Sequence, residues 1–195
     1  TEEECIKTLK DALPFRDKII ACGLDSYEVG HPPEVFQNLF RLAKDYGFRL
    51  TAHAGEEGPY TYIIDSLDLL NVDRIDHGYQ CICDEGLMER LSNECIPLTL
   101  CPLSNSRLKV VKDLTEYPIK KMMDKNIIVT LNSDDPAYYG GYIGDIYYEL
   151  YKAIDLTVDE IIMFARNSFI YSYLPDERKE NYLNIVEAFV RKLNN

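Results

Sequence analysis

Short apolar runs rich in β-branched residues alternate along this chain with longer segments whose apolar positions recur every three or four residues. The runs predict five strands, Lys18–Cys22, Phe48–Ala52, one that starts at Arg74 and ends at His77-Gly78, Ile96–Cys101 and Asn126–Leu131. Between them the helical period predicts helices over Glu34–Tyr46, Thr61–Leu70, Glu85–Asn93 and Pro118–Lys125, the first with apolar residues at 35, 36, 39, 40, 42 and 43. Gly23–Pro33, His53–Tyr60 and Pro102–Arg107 read as loops following strands. Strands that alternate with helices in this way lie parallel, which makes the chain α/β. Helical periodicity also marks Glu2–Leu13 and, from Ile143 on, the segments Ile143–Ile154, Val158–Phe169 and Asp176–Leu193. Thr157 and Glu160 form a capping-box signal before the second of these. Tandem repeats and low-complexity linkers are not evident, so residues 1–195 are expected to form a single domain.

Composition narrows the partners. With 46% apolar residues, 195 residues suffice for one sizeable core. Thirty-three acidic residues against 21 basic ones give a net charge of −12, which disfavours nucleic acid and anionic membranes as partners. No apolar run approaches the roughly 18 residues that would span a bilayer, and no secretory signal opens the sequence, so a soluble, cytoplasmic protein is expected, with a nuclear location left open. Of six cysteines only Cys81 and Cys83 are close, and no Cys-x-x-Cys occurs. All six read as free thiols, with Cys22 and Cys101 as buried strand residues.

Candidate chemistry lies where strands end: Gly23 and Asp25, His53 and Glu56, His77, Ser104 and Asn105, Asp134 and Asp135. In a parallel α/β barrel this is the edge where active sites are assembled, because the loops after the strands converge there. His53 and Glu56 offer an imidazole and a carboxylate one short loop apart, and Asp134 offers a second oxygen donor, a mixture that zinc accepts. His77 is a candidate base toward a water that zinc would acidify. On an extended chain Asp134 and Asp135 would point to opposite sides, one toward a metal and one toward a substrate, with Pro136 turning the chain into a loop. Taken singly each residue has a bland reading: a structural histidine, loop charge at Glu56 and Glu57, a turn cap at Asp134. Their placement at one edge makes joint coincidence much less probable.

Thr51-Ala-His53-Ala-Gly-Glu56, Arg74-Ile-Asp-His77-Gly78, Cys101-Pro-Leu-Ser-Asn105 and Asn132-Ser-Asp134-Asp135-Pro136, in that order, resemble the zinc-dependent adenosine, adenine and AMP deaminases. Gly23–Pro33, His53–Pro59 and Asp134–Gly141 look like the adenine deaminase branch. The resemblance implies a (β/α)8 barrel of metal-dependent hydrolase type, this chain covering about the last five strand-helix units and the C-terminal helices. It implies hydrolytic deamination of adenine to hypoxanthine and ammonia, in purine salvage. His53 and Asp134 would ligate zinc, Glu56 would protonate the purine ring and His77 would orient and activate water. Asp135 would bond a ring nitrogen, and the backbone at Gly23 would approach the purine. The family's two further zinc ligands form a His-x-His that is absent here. They are expected on a complementary N-terminal segment of the same protein, without which zinc would be held weakly and the five strands would be unstable. Two alternatives stay open: an adenosine deaminase, and a non-catalytic purine-binding fragment.

Overall fold

A computed structural model describes residues 1–193. Its strands are β1 (Ala21–Leu24), β2 (Arg49–Ala54), β3 (Arg74–His77), β4 (Leu98–Leu100) and β5 (Val129–Leu131). The helices are α1 (Glu2–Ala12), α2 (Gln37–Asp45), α3 (Thr61–Asp68), α4 (Glu85–Asn93), α5 (Pro102–Arg107), α6 (Ile119–Asp124), α7 (Pro136–Tyr139), α8 (Ile143–Ile154), α9 (Val158–Ile170) and α10 (Asp176–Leu193). Among the described residues the sheet has five strands in chain order, with β1–β2 and β2–β3 in parallel register. The predicted alternation and its parallel consequence therefore hold. Two compact units divide the chain, one formed by Thr1–Leu98 and the other by the residues from Thr99 on.

In the first unit, Phe40, Ala43, Ala52, Ile63, Ile75 and Leu91 are fully buried. Asp73 fixes the entry to β2 by accepting the Leu50 N–H at 2.8 Å, and Ile75 donates to the Pro97 carbonyl at 3.2 Å. The first strand starts at Ala21, not at Lys18, because Leu13–Lys18 winds into a 3-10 turn with Pro14 near its start. Arg16 holds that turn: its guanidinium donates to the carbonyls of Ile19 (2.8 Å) and Gly47 (2.5 Å) and lies over the Phe48 ring. The predicted helix from Glu34 begins as a separate 3-10 turn, Pro33–Phe36, and becomes α-helical only at Gln37. At β4 the paired segment is shorter than predicted. Pro97 has no N–H to give, and Cys101 has already turned to precede α5.

In the second unit, Asn132 donates its N–H to the Leu100 carbonyl at 2.9 Å, and the Asn167 amide of α9 donates to the Val129 carbonyl at 2.9 Å, tying that helix to β5. Residues 102–107 and the stretch after Asp135 are helices where loops were expected. Pro102 and Pro136 occupy their first positions, where a missing N–H costs nothing. Asn105, one of the strand-end polar residues, is fully buried in a structural network. Its carbonyl accepts from Val110 (2.9 Å) and Val111 (3.2 Å), and its side-chain oxygen accepts from Tyr117 Oη at 2.8 Å. The capping box at Thr157 and Glu160 is formed as predicted. All six cysteines are free; Cys22 lies in β1 as expected but is only half-buried, with desolvation pushing its thiol up, and Cys101 is buried but follows β4 instead of lying in it. Among the described residues no helix is long and apolar enough to cross a membrane.

Candidate active site

His53 stands in the last two residues of β2, and β3 ends at His77. The register pairs His53 with Asp76 and Ala54 with His77. Regular alternation would send His77 to the same side as Ala54, away from His53. The backbone of His77 instead takes a left-handed φ of 65°, an unusual conformation for a side chain of this size, and its ring packs edge-on against His53 with centroids 4.6 Å apart. His77 is 2% exposed, and its Nδ1 lies 3.1 Å from Oε1 of Glu56. One donor atom from each of His53, Glu56 and His77 lies within 4.8 Å of the other two. Among the described residues the half-buried His53 imidazole makes only its ring contact with His77, so its nitrogens remain available to a ligand. Imidazole and carboxylate are donor types that zinc takes, so a zinc held by His53 would fit this chemistry with Glu56 and His77 close beside it.

The loop that carries Glu56 is organised by a residue that nothing in the linear sequence singles out. Glu28 is 8% exposed, and its carboxylate collects four consecutive backbone N–H groups: Gly55 onto Oε1, and Glu56, Glu57 and Gly58 onto Oε2, the last three at 3.0 Å. Successive amides converging on one anion form a nest. A Cβ at Gly58 would sit 2.7 Å from the Glu28 carboxyl, so the close approach itself demands glycine there. The partners are 27–30 residues apart in sequence, and no spacing rule could have joined them.

Gly23 lies inside β1, paired with Thr51, and not in the loop after the first strand. It is exposed, and a Cβ there would approach Thr51 Cγ2 to 3.2 Å. The third histidine, His31, meets Tyr27 edge-on and, with His53, Phe36 and Tyr62, lines a cavity of about 180 Å³ under the loop after β1.

In the second unit β5 stops at Leu131, and Asn132 turns its amide back onto Thr130. Asp134 has a left-handed φ of 54°, so the extended chain expected through Asp134 and Asp135 is absent and simple alternation does not place their side chains. Asp134 is half-buried. Asp135 is exposed and precedes α7, its carbonyl accepting the N–H groups of Tyr138 (2.9 Å) and Tyr139 (2.8 Å). The structure thus gathers His53, Glu56 and His77 in one unit and sets Asp134 beside Asp135 in the other.

Histidines and acidic residues at the carboxyl ends of parallel strands place the chain among α/β barrel-type enzymes, which assemble their active sites at that edge. A family profile described as adenosine deaminase matches residues 1–189, and the chain belongs to that family. It is 48% identical over 190 residues to an adenine deaminase of Psychrobacter cryohalolentis, covering 97% of this chain and 57% of that protein. The crystal structure of an adenine deaminase from Arthrobacter aurescens superposes with a TM-score of 0.95 at 43% identity, over 98% of this chain and 58% of that one. An amidohydrolase from Burkholderia ambifaria, solved with bound zinc, gives 0.90 at 25% identity over 100% and 56%. The chain spans about half the length of the curated relatives it matches, and its sheet corresponds to part of the amidohydrolase-type barrel, as the motifs implied.

Proposed function

We propose that the protein containing this chain is a zinc-dependent adenine deaminase, acting in purine salvage in the cytoplasm. The observation that carries the reading is the buried His77, 3.1 Å from the half-buried Glu56 carboxylate and edge-on to the His53 imidazole, whose nitrogens are available. Adenine deaminase relatives at 48% identity support the substrate. In this reading His53 and Asp134 are zinc ligands, and two further histidines come from outside these 195 residues, on an N-terminal segment of the same protein. Zinc bound there would lower the pKa of the attacking water toward neutrality.

The chain's own residues then handle protons and position. His77 orients the water and takes its proton. Glu56 donates a proton to a ring nitrogen, which makes C6 electrophilic, and Asp135 bonds another ring nitrogen. The backbone at Gly23, bare of a side chain and lying in a strand, lets a flat ring approach. Water adds to C6 with its proton on His77; His77 returns that proton to the exocyclic amino group, the C6–N bond breaks and ammonia leaves, and the remaining hydroxyl proton passes to Glu56, which leaves hypoxanthine and restores both side chains.

The test is kcat/KM for adenine and for adenosine in the full-length protein, read beside zinc content and repeated for Glu56→Gln. Adenine should be strongly preferred, and the variant should keep zinc while losing deamination. Equal or reversed preference would move the protein to the adenosine branch. Normal turnover by the variant would remove Glu56 from the mechanism.

A further inference from the structure

The residues proposed to bind and deaminate the purine do not include Glu28, yet it is the most heavily engaged buried carboxylate of the first unit. It belongs to the loop after β1, whereas its four donors belong to the loop after β2. A buried carboxylate is costly unless every lone pair is used, and here backbone amides alone use them. The same contacts fix the segment between the end of β2 and Tyr60. That segment leaves β2 at His53 and Ala54, turns through Gly55 at a φ of 67°, and carries Glu56 to His77. Its other anchors are the Gly78 N–H on the Ala54 carbonyl (3.1 Å) and the Gln80 N–H on the Gly55 carbonyl (2.8 Å). These hold the β3 side, so Glu28 is the anchor on the β1 side. With the amides of residues 55–58 committed to Glu28, the peptide plane before Glu56 has one orientation, and its side chain leaves toward His77.

We propose that Glu28 is a positioning residue for the deamination: its carboxylate clamps the backbone of Gly55–Gly58 and thereby sets the reach of the Glu56 carboxyl to the substrate. This rests on the proposed role of Glu56 as proton donor. The clamp predicts a particular kinetic pattern. The Glu28 carboxylate is spent on four backbone amides and has no proposed part in holding substrate or metal, so its loss should lower kcat while leaving KM and zinc content close to those of the parent. Misplacing a catalytic group by about 1 Å costs roughly 100-fold in rate, and that is the scale expected for kcat. Glutamine in place of glutamate presents an NH2 group to N–H donors and breaks the nest at nearly constant volume. Aspartate keeps the anion on a shorter stem and should recover part of the loss.

The experiment compares full-length wild type, Glu28→Gln and Glu28→Asp by steady-state kinetics, zinc content, thermal melting and amide hydrogen exchange of residues 55–58. In Glu28→Gln those amides should exchange about tenfold faster or more, as expected for lost charge-assisted hydrogen bonds, with kcat reduced, KM and zinc retained, and Glu28→Asp intermediate. Faster exchange with unchanged kcat overturns the positioning role, and unchanged exchange overturns the clamp itself. A lower melting temperature with kcat and KM unaltered reduces Glu28 to a structural residue. Exchange is read without turnover, so a wild-type protein that fails to deaminate adenine would refute the functional reading while the clamp is still decided by the exchange data.

Discussion

Gly55→Ala separates two costs that the structure places at one position. The φ of Gly55 is 67°, and an added Cβ would lie 2.6 Å from Ile63 Cδ1 and 2.8 Å from Ile63 Cγ1, both in a fully buried side chain. Left-handed backbone costs a residue with a Cβ about 1–2 kcal/mol. Forcing a methyl into a packed core costs about 1–3 kcal/mol more. The sum, about 2–5 kcal/mol, is a large part of the stability of an ordinary domain. Gly30→Ala supplies the internal control: its φ is 81°, and an added Cβ would meet nothing within 4 Å, so it should show the backbone cost alone. Ile63→Ala removes both clashing atoms, and combining it with Gly55→Ala should give a loss smaller than the sum of the two singles by the steric share, about 1–3 kcal/mol. Urea unfolding of the full-length protein and the four variants, read as midpoints at constant m, measures all of these quantities. Equal losses at Gly30 and Gly55, or strict additivity of Gly55→Ala with Ile63→Ala, would refute the packing around the Glu56 loop described above.

Asp134→Ala should lose zinc and activity together in the full-length protein, and full zinc occupancy in that variant would reassign the ligand. Thr157→Ala should cost about 0.5–2 kcal/mol of stability by uncapping α9, measured by the shift in unfolding midpoint, because the hydroxyl accepts the Glu160 N–H at 3.2 Å. Glu160 itself is held below the usual carboxylate range, first by the Thr157 N–H and then by the nearby Lys120 ammonium. A depressed folded-state pKa means that its contribution is present above the ordinary carboxylate value and is lost as pH falls through the folded-state value. Glu160→Gln should therefore flatten the loss of stability on acidification, and an unchanged pH profile would show that the contact contributes nothing.

The sequence by itself determined the alternation of strands and helices, the parallel sheet, the capping of α9 and the placing of His53, Glu56 and His77 at strand ends. These are local properties: buried strands need apolar β-branched runs, and a polar residue closing such a run marks the sheet's edge. Element boundaries went astray where local chemistry allows two outcomes. Pro102 and Pro136 can begin a loop or the first turn of a helix, and whether the turn continues is settled by packing. Gly141, for instance, sits where an added Cβ would come 2.5 Å from Leu103 of α5. Arg16 reaching Gly47 likewise moves the start of β1 through a contact 31 residues away. The left-handed backbone of His77, which turns its ring to His53, and that of Asp134 leave no mark in the sequence, since histidine and aspartate occupy extended strand ends at lower cost. Glu28 is the extreme case. As a letter it is one loop carboxylate among 33 acidic residues, and it becomes the anchor of the Glu56 loop only because the fold lays the chain after β1 against four amides of the chain after β2.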